Sequence, residues 1–562
     1  MRKSFIALIL SFVTILASCG EMLVSTDSVS NSSEVHLESS LEKDSSGEAS
    51  LSEGGSVSEE NSSSEDSSAS KEESSSEDNS SIGGGETDEE HQDEDNDGIC
   101  DICQTSVVVT FDVYAINDLH GKFVDTDNQP GVDELTTYLK NAKARNENTI
   151  FLSSGDMWQG GSESNLTKGL IVTDWMSEMG FASMTLGNHE YDWGEDAIIT
   201  NESQAEFPFL ALNIYDSATN KLVEYCQPSV MVEQNGVQIG IIGAVGDCYS
   251  SISSDKVEDV YFKTGSQLTA LVKEESMKLR QQGADFIVYS IHDGYESSNS
   301  STQTVTGNLG YYDVALSNGY VDLVFEGHTH QHYVIKDSQG VYHLQGGGDN
   351  DGITHATVSI NYANETSSVK KAEYITSSNY ASLQADPLVE DLLEKYADEI
   401  SIANKKLGYN AKYRSSSELC QLLAQLYYEV GLEKWGDKYD IVLGGGFLSA
   451  RSPYNLYKGD VLYSDIQMIF PFDNEIVLCS ISGRDLKSKF FETSNSRYYI
   501  AYGEYGAEVK DSIDLNKTYY VIVDRYTSQY SYNNLTEVEF YDTTTFPRDL
   551  LADYIEAGGL AK

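Results

Sequence analysis

Five short apolar runs, each stopping at a polar loop that carries Asp, Asn or His, constrain this chain more than any other feature. Residues 113–116 lead into Asn117-Asp118-Leu119-His120-Gly121, and residues 150–152 into Ser154-Gly155-Asp156. Residues 183–186 lead into Gly187-Asn188-His189-Glu190-Tyr191-Asp192. Residues 287–291 end at His292-Asp293-Gly294, and residues 323–325 lead into Glu326-Gly327-His328-Thr329-His330. The full runs, 107–116, 149–152, 182–186, 286–291 and 321–325, have the composition of buried strands. Amphipathic stretches such as 132–144 and 268–282 lie between them, which predicts an α/β core. In open α/β sheets ligands gather at the carboxyl ends of the strands, so the five loops are expected along one edge.

Of ten histidines, five sit in these loops: His120, His189, His292, His328 and His330. Mixed Asp and His donors suit Zn, Mn, Fe or Co rather than Mg or Ca. The donors suffice for two divalent ions, and Asp156 is the natural carboxylate to bridge them and offset their repulsion. The formal charge of −54 argues against a nucleic-acid polymer as partner, because such binding needs a basic face. It argues equally against a polybasic membrane surface.

Much of that acid lies in one stretch. Residues 20–106 hold 25 acidic and 2 basic side chains and, to about residue 92, almost no large apolar ones. Such a composition cannot offset chain entropy by burial, so a disordered linker is expected. Before it, Arg2 and Lys3 precede an apolar run at 5–16, which reads as a signal peptide over residues 1–18. The end, Leu16-Ala17-Ser18-Cys19-Gly20, has the pattern of a lipobox. Cys19 is therefore the expected lipidation site, tethering the chain to the extracytoplasmic face of the cell membrane by a lipid anchor only. No later segment has 18 consecutive apolar residues. Asp93, Asp95 and Asp97 alternate before Gly98, like the first half of a calcium loop, but Gln104 stands where a closing Glu belongs. Cys100 and Cys103 read as a small disulfide, half a zinc site or the end of an acidic linker, and Cys226 with Cys248 is a candidate pair. Cys420 and Cys479, in apolar runs, read equally well as buried free thiols.

Beyond residue 372 the pattern changes. A connecting helix is expected across 373–406, then a second, tyrosine-rich unit over 407–562. That unit should hold a helix near 418–430, a Gly-rich turn at Gly444–Gly446, and strands at 465–470, 476–481 and 519–523.

The ordered series Asp118-Leu119-His120, Gly155-Asp156, Gly187-Asn188-His189-Glu190, His292 and Gly327-His328-Thr329-His330 resembles the calcineurin-like metallophosphoesterases. Residues 187–194 (GNHEYDWG) and 457–474 (YKGDVLYSDIQMIFPFDN) narrow the likeness to the bacterial 5′-nucleotidase and UDP-sugar hydrolase branch. The resemblance covers about residues 107–550. It implies an N-terminal αββα sandwich over residues 107–372 and a C-terminal α+β substrate-binding domain over 407–562.

The resemblance also assigns roles. Asp118, His120, Asp156 and His330 would hold one metal, and Asp156, Asn188, His292 and His328 the other. His189, oriented by Asp192, would stabilise the phosphoryl oxygens or protonate the leaving group. Phe472 would stack on a nucleobase and Asn474 bond its edge, while Arg414 and Arg451 would contact phosphate or a carboxylate. Three departures stand out. Leu443 replaces an Asn usual before the Gly-rich turn, Arg451 lies further from that turn, and a late Gly-Gly-Asp-Gly segment is missing. Tyr526, in Asp524-Arg525-Tyr526, is the stand-in for the second stacking ring. The implied activity is hydrolysis of nucleoside monophosphates, with nucleotide diphosphates, UDP-sugars and 2′,3′-cyclic nucleotides as neighbours. A two-metal hydrolase of a non-nucleotide ester and a non-catalytic surface binding protein are the alternatives.

Overall fold

The computed structural model describes residues 92–562 apart from 96–97, 105, 126–129, 296–318, 338, 447–449, 452–454, 493–499, 505–509 and 530–533. The signal peptide, Cys19 and the acidic run up to residue 91 lie outside the described residues, as does Asp97.

Two six-stranded sheets make the N-terminal unit. In the first, β1 (Val108–Ile116), β2 (Thr149–Ser153), β3 (Ser183–Thr185) and β4 (Phe209–Leu210) run parallel in that order. On the other side of β1, β13 (Gly352–Asn361) pairs antiparallel, and β14 (Thr366–Thr376) closes the edge. The second sheet has a parallel centre of β7 (Val237–Val245), β9 (Phe286–His292), β10 (Leu323–Phe325) and β12 (Tyr342–Gly346). Its antiparallel edges are β6 (Ser229–Gln234) and β11 (His332–Lys336). A short pair, β5 (Ile214–Asp216) and β8 (Val260–Phe262), stands apart.

The sheets face each other through one apolar layer. Phe111, Val113, Ile150 and Leu152 from the first meet Ile239, Ile241, Val288 and Phe325 from the second. Helices Val132–Arg145 and Leu170–Met179 cover the outer face of the first sheet through Leu135, Leu139, Val172 and Trp175. Helix Gly265–Gln281 covers the second through Leu268, Val272 and Leu279. Covered on both faces, β2 and β9 are buried at every residue.

The five ligand loops converge, but not from a single sheet edge as expected. Three follow β1, β2 and β3, and two follow β9 and β10 across the sandwich. Buried hydroxyls join the sheets beneath them: Ser154 Oγ lies 3.0 Å from Ser290 Oγ, and Thr185 Oγ1 donates to Ser290 Oγ at 2.8 Å.

The C-terminal unit carries a five-stranded sheet. Its order is β19 (Ile500–Gly503), β16 (Ile441–Gly446), β20 (Thr518–Asp524), β18 (Ile476–Ser482) and β21 (Thr536–Phe540). Helix Ser416–Trp435 packs on it, opened by a capping box between Ser415 and Glu418.

Four expectations need correction here. Residues 373–376 finish strand β14, and the connecting helix starts only at Pro387, where Asp386 accepts from Leu388 N and proline suits the first turn. Gly444–Gly446 form part of β16, not a turn; a Cβ at Gly444 would meet Tyr428 N at 2.3 Å, so glycine lets the helix backbone approach the sheet. The run at 465–470 is mostly helix, Tyr463–Ile469. Cys226 and Cys248 are both free thiols.

Candidate metal centre

The backbone at the loops is bent to aim side chains inward. Asp118 (φ 49°), His120 (49°), Asp156 (55°), His328 (68°) and His330 (52°) all adopt left-handed conformations. Each such residue costs on the order of 1 kcal/mol, and that strain recurs where function over-determines the backbone. Glycines make room between the loops: a Cβ at Gly187 would meet Asp156 Oδ1 at 2.2 Å, and one at Gly155 would meet His292 Nδ1 at 2.6 Å.

The side chains form two linked groups. Asp118, His120 and His330 make the first, with His120 Nε2 3.0 Å from His330 Nε2 and 3.8 Å from Asp118 Oδ1. Asp118, Asp156 and His292 make the second, with His292 Nε2 3.0 Å from Asp156 Oδ2. The same Asp156 Oδ2 lies 4.0 Å from His120 Nε2, so Asp156 stands between the groups. His328 joins His292 and Cys248 in a third overlapping group.

The residues suit divalent cations on three counts. His120 Nδ1 faces Gln159 O at 2.9 Å and His292 Nδ1 faces Ser154 O at 2.7 Å. Each Nδ1 therefore carries a proton, which leaves Nε2 as the nitrogen a cation would take. Asn188 is buried, and its Oδ1 has no hydrogen-bond partner among the described residues. Finally, the carboxylate field is strong. Burial disfavours charge on His292, yet Asp156 and Asp118 push its pKa up to about 10. Carboxylates that hold a proton so firmly would hold a cation at the same place. His120 and His328 answer oppositely: burial and Arg451 keep His120 well below the ordinary value, and burial and His292 lower His328 to about 4. Both thus remain neutral ligands at ordinary pH.

Polar partners fix the carboxylates. Asn117 Nδ2 donates to Asp118 Oδ2 at 2.7 Å, and His328 N donates to the same oxygen at 2.9 Å. Glu190, in the third loop, accepts from the backbone N–H groups of Asp156, Met157 and Gly187 at 2.7–2.9 Å and so clips two ligand loops together. His189 N donates to Asp156 Oδ1 at 2.8 Å, and His189 Nδ1 lies 2.9 Å from Asp192 Oδ2. Burial opposes charge on His189, but Asp192 and Asp156 outweigh it and raise its pKa.

The C-terminal unit reaches this centre. The Phe472 ring stacks against His189 at 5.9 Å between centroids and 30° between planes. Arg451 is buried and its Nη1 donates to Gln159 Oε1 at 2.7 Å. Asn474 sits half-buried two residues after Phe472. Tyr526 is half-buried on helix Arg525–Gln529, which is held to the N-terminal unit by Arg525 Nη1 to Asp255 Oδ2 at 3.1 Å and by Ser253 Oγ donating to Gln529 Oε1 at 2.6 Å. Arg414 pairs its backbone with Leu456 and donates from Nε to Asn410 Oδ1 at 3.1 Å. Asp93 accepts from Gly98 N and from Asn361 Nδ2, which ties the acidic junction to β13.

Sequence reasoning missed Gln159, Cys248 and Arg548. Arg548 is buried; it donates to the carbonyls of Pro471 and Phe472 at 3.3 and 3.1 Å and to the Asp473 carboxylate, pinning the loop that presents Phe472. Cys248 Sγ donates to His292 O at 2.9 Å. None of the three sits in a recognisable local pattern.

Two sheets thus deliver Asp, His and Asn side chains across a sandwich to one candidate site for divalent ions. Residues 111–332 match the family described as calcineurin-like phosphoesterase. Among curated proteins, it is 29% identical to an apyrase of Tabanus yao over 235 residues, spanning 38% of each chain. It is 24% identical to a 5′-nucleotidase of Diplobatis ommata over 433 residues, 69% of this chain and 71% of that one. Among solved structures, a putative 5′-nucleotidase of Staphylococcus aureus shares the two-domain fold: TM-score 0.62, 18% identity, covering 80% of this chain and 96% of that one.

Proposed function

We propose that this chain is a two-metal 5′-nucleotidase that hydrolyses nucleoside monophosphates to nucleoside and phosphate. Nucleotide diphosphates, UDP-sugars and 2′,3′-cyclic nucleotides are neighbouring substrates. The observation that carries the reading is the Phe472 ring of the C-terminal unit stacked on His189 at the rim of the ligand loops. An aromatic face there would place a base beside the phosphoester and tolerate its identity. The curated relatives named as 5′-nucleotidases support it.

Asp118, His120, Asp156 and His330 would hold one divalent ion, and Asp156, Asn188, His292 and His328 the other; Zn, Mn, Co or Fe suit these donors. When bound, such a pair supplies an activated water and neutralises charge on the phosphoryl group. The chain's own residues do the rest. Asp192 accepts from His189 Nδ1 and so turns Nε2 toward the substrate, where it meets a phosphoryl or leaving oxygen. Phe472 and Arg451 fix the two ends of the nucleotide, and Tyr526 and Asn474 complete the base site. Arg414 stands in reserve for a second phosphate or a carboxylate.

We place the enzyme at the extracytoplasmic face of the membrane through a lipid on Cys19, which suits scavenging of extracellular nucleotides. Cys19→Ser should then release the chain from the membrane fraction. The activity is tested with a nucleotide panel assayed for phosphate release after chelation and addition of Mn, Co, Zn or Mg. Absence of metal-dependent release from every nucleotide would sink the reading.

A further inference from the structure

Two polar groups of Gln159 are committed. Its carbonyl oxygen faces His120 Nδ1 at 2.9 Å, and its Oε1 accepts from Arg451 Nη1 at 2.7 Å. A guanidinium only donates, so Arg451 fixes the orientation of the amide: Oε1 toward the arginine, Nε2 away from it. The residue is completely buried, and Nε2 has no hydrogen-bond partner among the described residues. A buried amide N–H without an acceptor is costly, so native structures rarely keep one unless water or a ligand completes it.

Nor can the backbone drift to satisfy it. Gly161 N donates to His120 O at 2.7 Å, Gly160 N donates to Asn165 Oδ1 at 2.9 Å, and Ser164 Oγ donates to Trp158 O at 2.5 Å. The two glycines press flat on the neighbouring ligand loop: a Cβ at Gly161 would stand 1.7 Å from Gly121 O and one at Gly160 2.4 Å from His120 O. Gln159 is thus a rigid donor placed between a metal-ligand imidazole and a buried guanidinium. The acceptor that suits a donor set beside a buried guanidinium is an anionic oxygen.

We propose that Gln159 is a phosphate-binding residue whose Nε2 donates to an oxygen of the substrate phosphoryl group beside Arg451. The inference rests on the phosphoester reading above. Inorganic phosphate is the probe, since it carries no base. Its affinity is measured by calorimetry on the Mn-loaded full chain for wild type, Gln159→Met, Arg451→Met and the double variant. Metal content and melting temperature are recorded for each. Gln159→Met should weaken phosphate about tenfold or more with metal content unchanged. The double variant should bind at least about fivefold more weakly than Arg451→Met alone, because the amide contact is separate from the arginine. Equal affinity of those two would reduce Gln159 to a prop for Arg451 and overturn the proposal. Should Arg451→Met fail to fold, Gln159→Glu decides: it keeps the acceptor for Arg451, loses the donor, and should also lose phosphate. Retained wild-type affinity there would equally overturn the proposal. A wild-type chain that binds phosphate but hydrolyses no nucleotide would sink the nucleotide reading and leave this one standing.

Discussion

Asn188 and His292 are both buried among the ligand loops. Asn188→Ala removes an oxygen that makes no hydrogen bond among the described residues, so folding should be little affected. If that oxygen is a metal ligand, turnover should fall by at least about a hundredfold, with one equivalent of metal lost. His292→Ala should behave alike. Circular dichroism with metal analysis checks both, and full activity in either variant would remove the second ion from the site. His189 differs in kind: it touches Asp156 only through its backbone N–H, and its ring is held by Asp192. His189→Ala should therefore keep both metals and lower kcat by about 10²–10⁴-fold, the usual range for a lost proton donor. Loss of metal from that variant would make His189 a ligand instead.

Elements show where sequence stops being readable. The ligand loops were legible because strand ends are short, apolar and abruptly followed by Asp and His, as at Ile116 to Asp118. Their pairing was not: β1 and β9 lie in different sheets, and nothing local distinguishes a strand of one sheet from a strand of the other. Residues 465–470 mislead for a related reason, since a short run holding Ile466, Met468, Ile469 and Phe470 fits a strand or a buried helix equally until the Asp465 carboxylate is seen accepting from Leu462 N. Arg548 and Gln159 act through partners 75 and 292 residues away, at Asp473 and Arg451, beyond any local pattern. The junction of β20 with helix Arg525–Gln529 yields a pH test. Asp524 there is fully buried, and burial raises its pKa to about 6 although Thr527 N donates to it at 2.7 Å. An acid raised in the folded state keeps a proton that the unfolded chain releases from about pH 4. Stability from this group is therefore complete below that pH and is lost as pH rises through about 6. Asp524→Asn keeps an acceptor for Thr527 N without the titration. It should match wild type near pH 4 and melt a few degrees higher above pH 6. Parallel melting profiles for the two proteins would show that Asp524 does not titrate in this range.

At the scale of the whole molecule, the charge of −54 opposes the approach of the proposed anionic substrate. Position decides whether it matters. The 25 acidic side chains of residues 20–106 precede the first ligand loop in the chain, while the rest is spread over the folded units. At physiological ionic strength the Debye length is about 8 Å, so charge further away than that is largely screened. Close to the substrate the balance differs: Arg451 and the ligand loops crowd His120, and two bound cations would outweigh Asp118 and Asp156. Deleting residues 20–91 should accordingly leave KM for a nucleoside monophosphate within about twofold of wild type at 0.15 M salt. At about 0.01 M salt the Debye length grows to ~30 Å, and the deletion should then lower KM, because repulsion formerly screened is felt. Steady-state kinetics across that salt range, on the full chain and the deletion, separates the two regimes. A large drop in KM at physiological salt would mean that the acidic run acts directly on the site and gates an anionic substrate there.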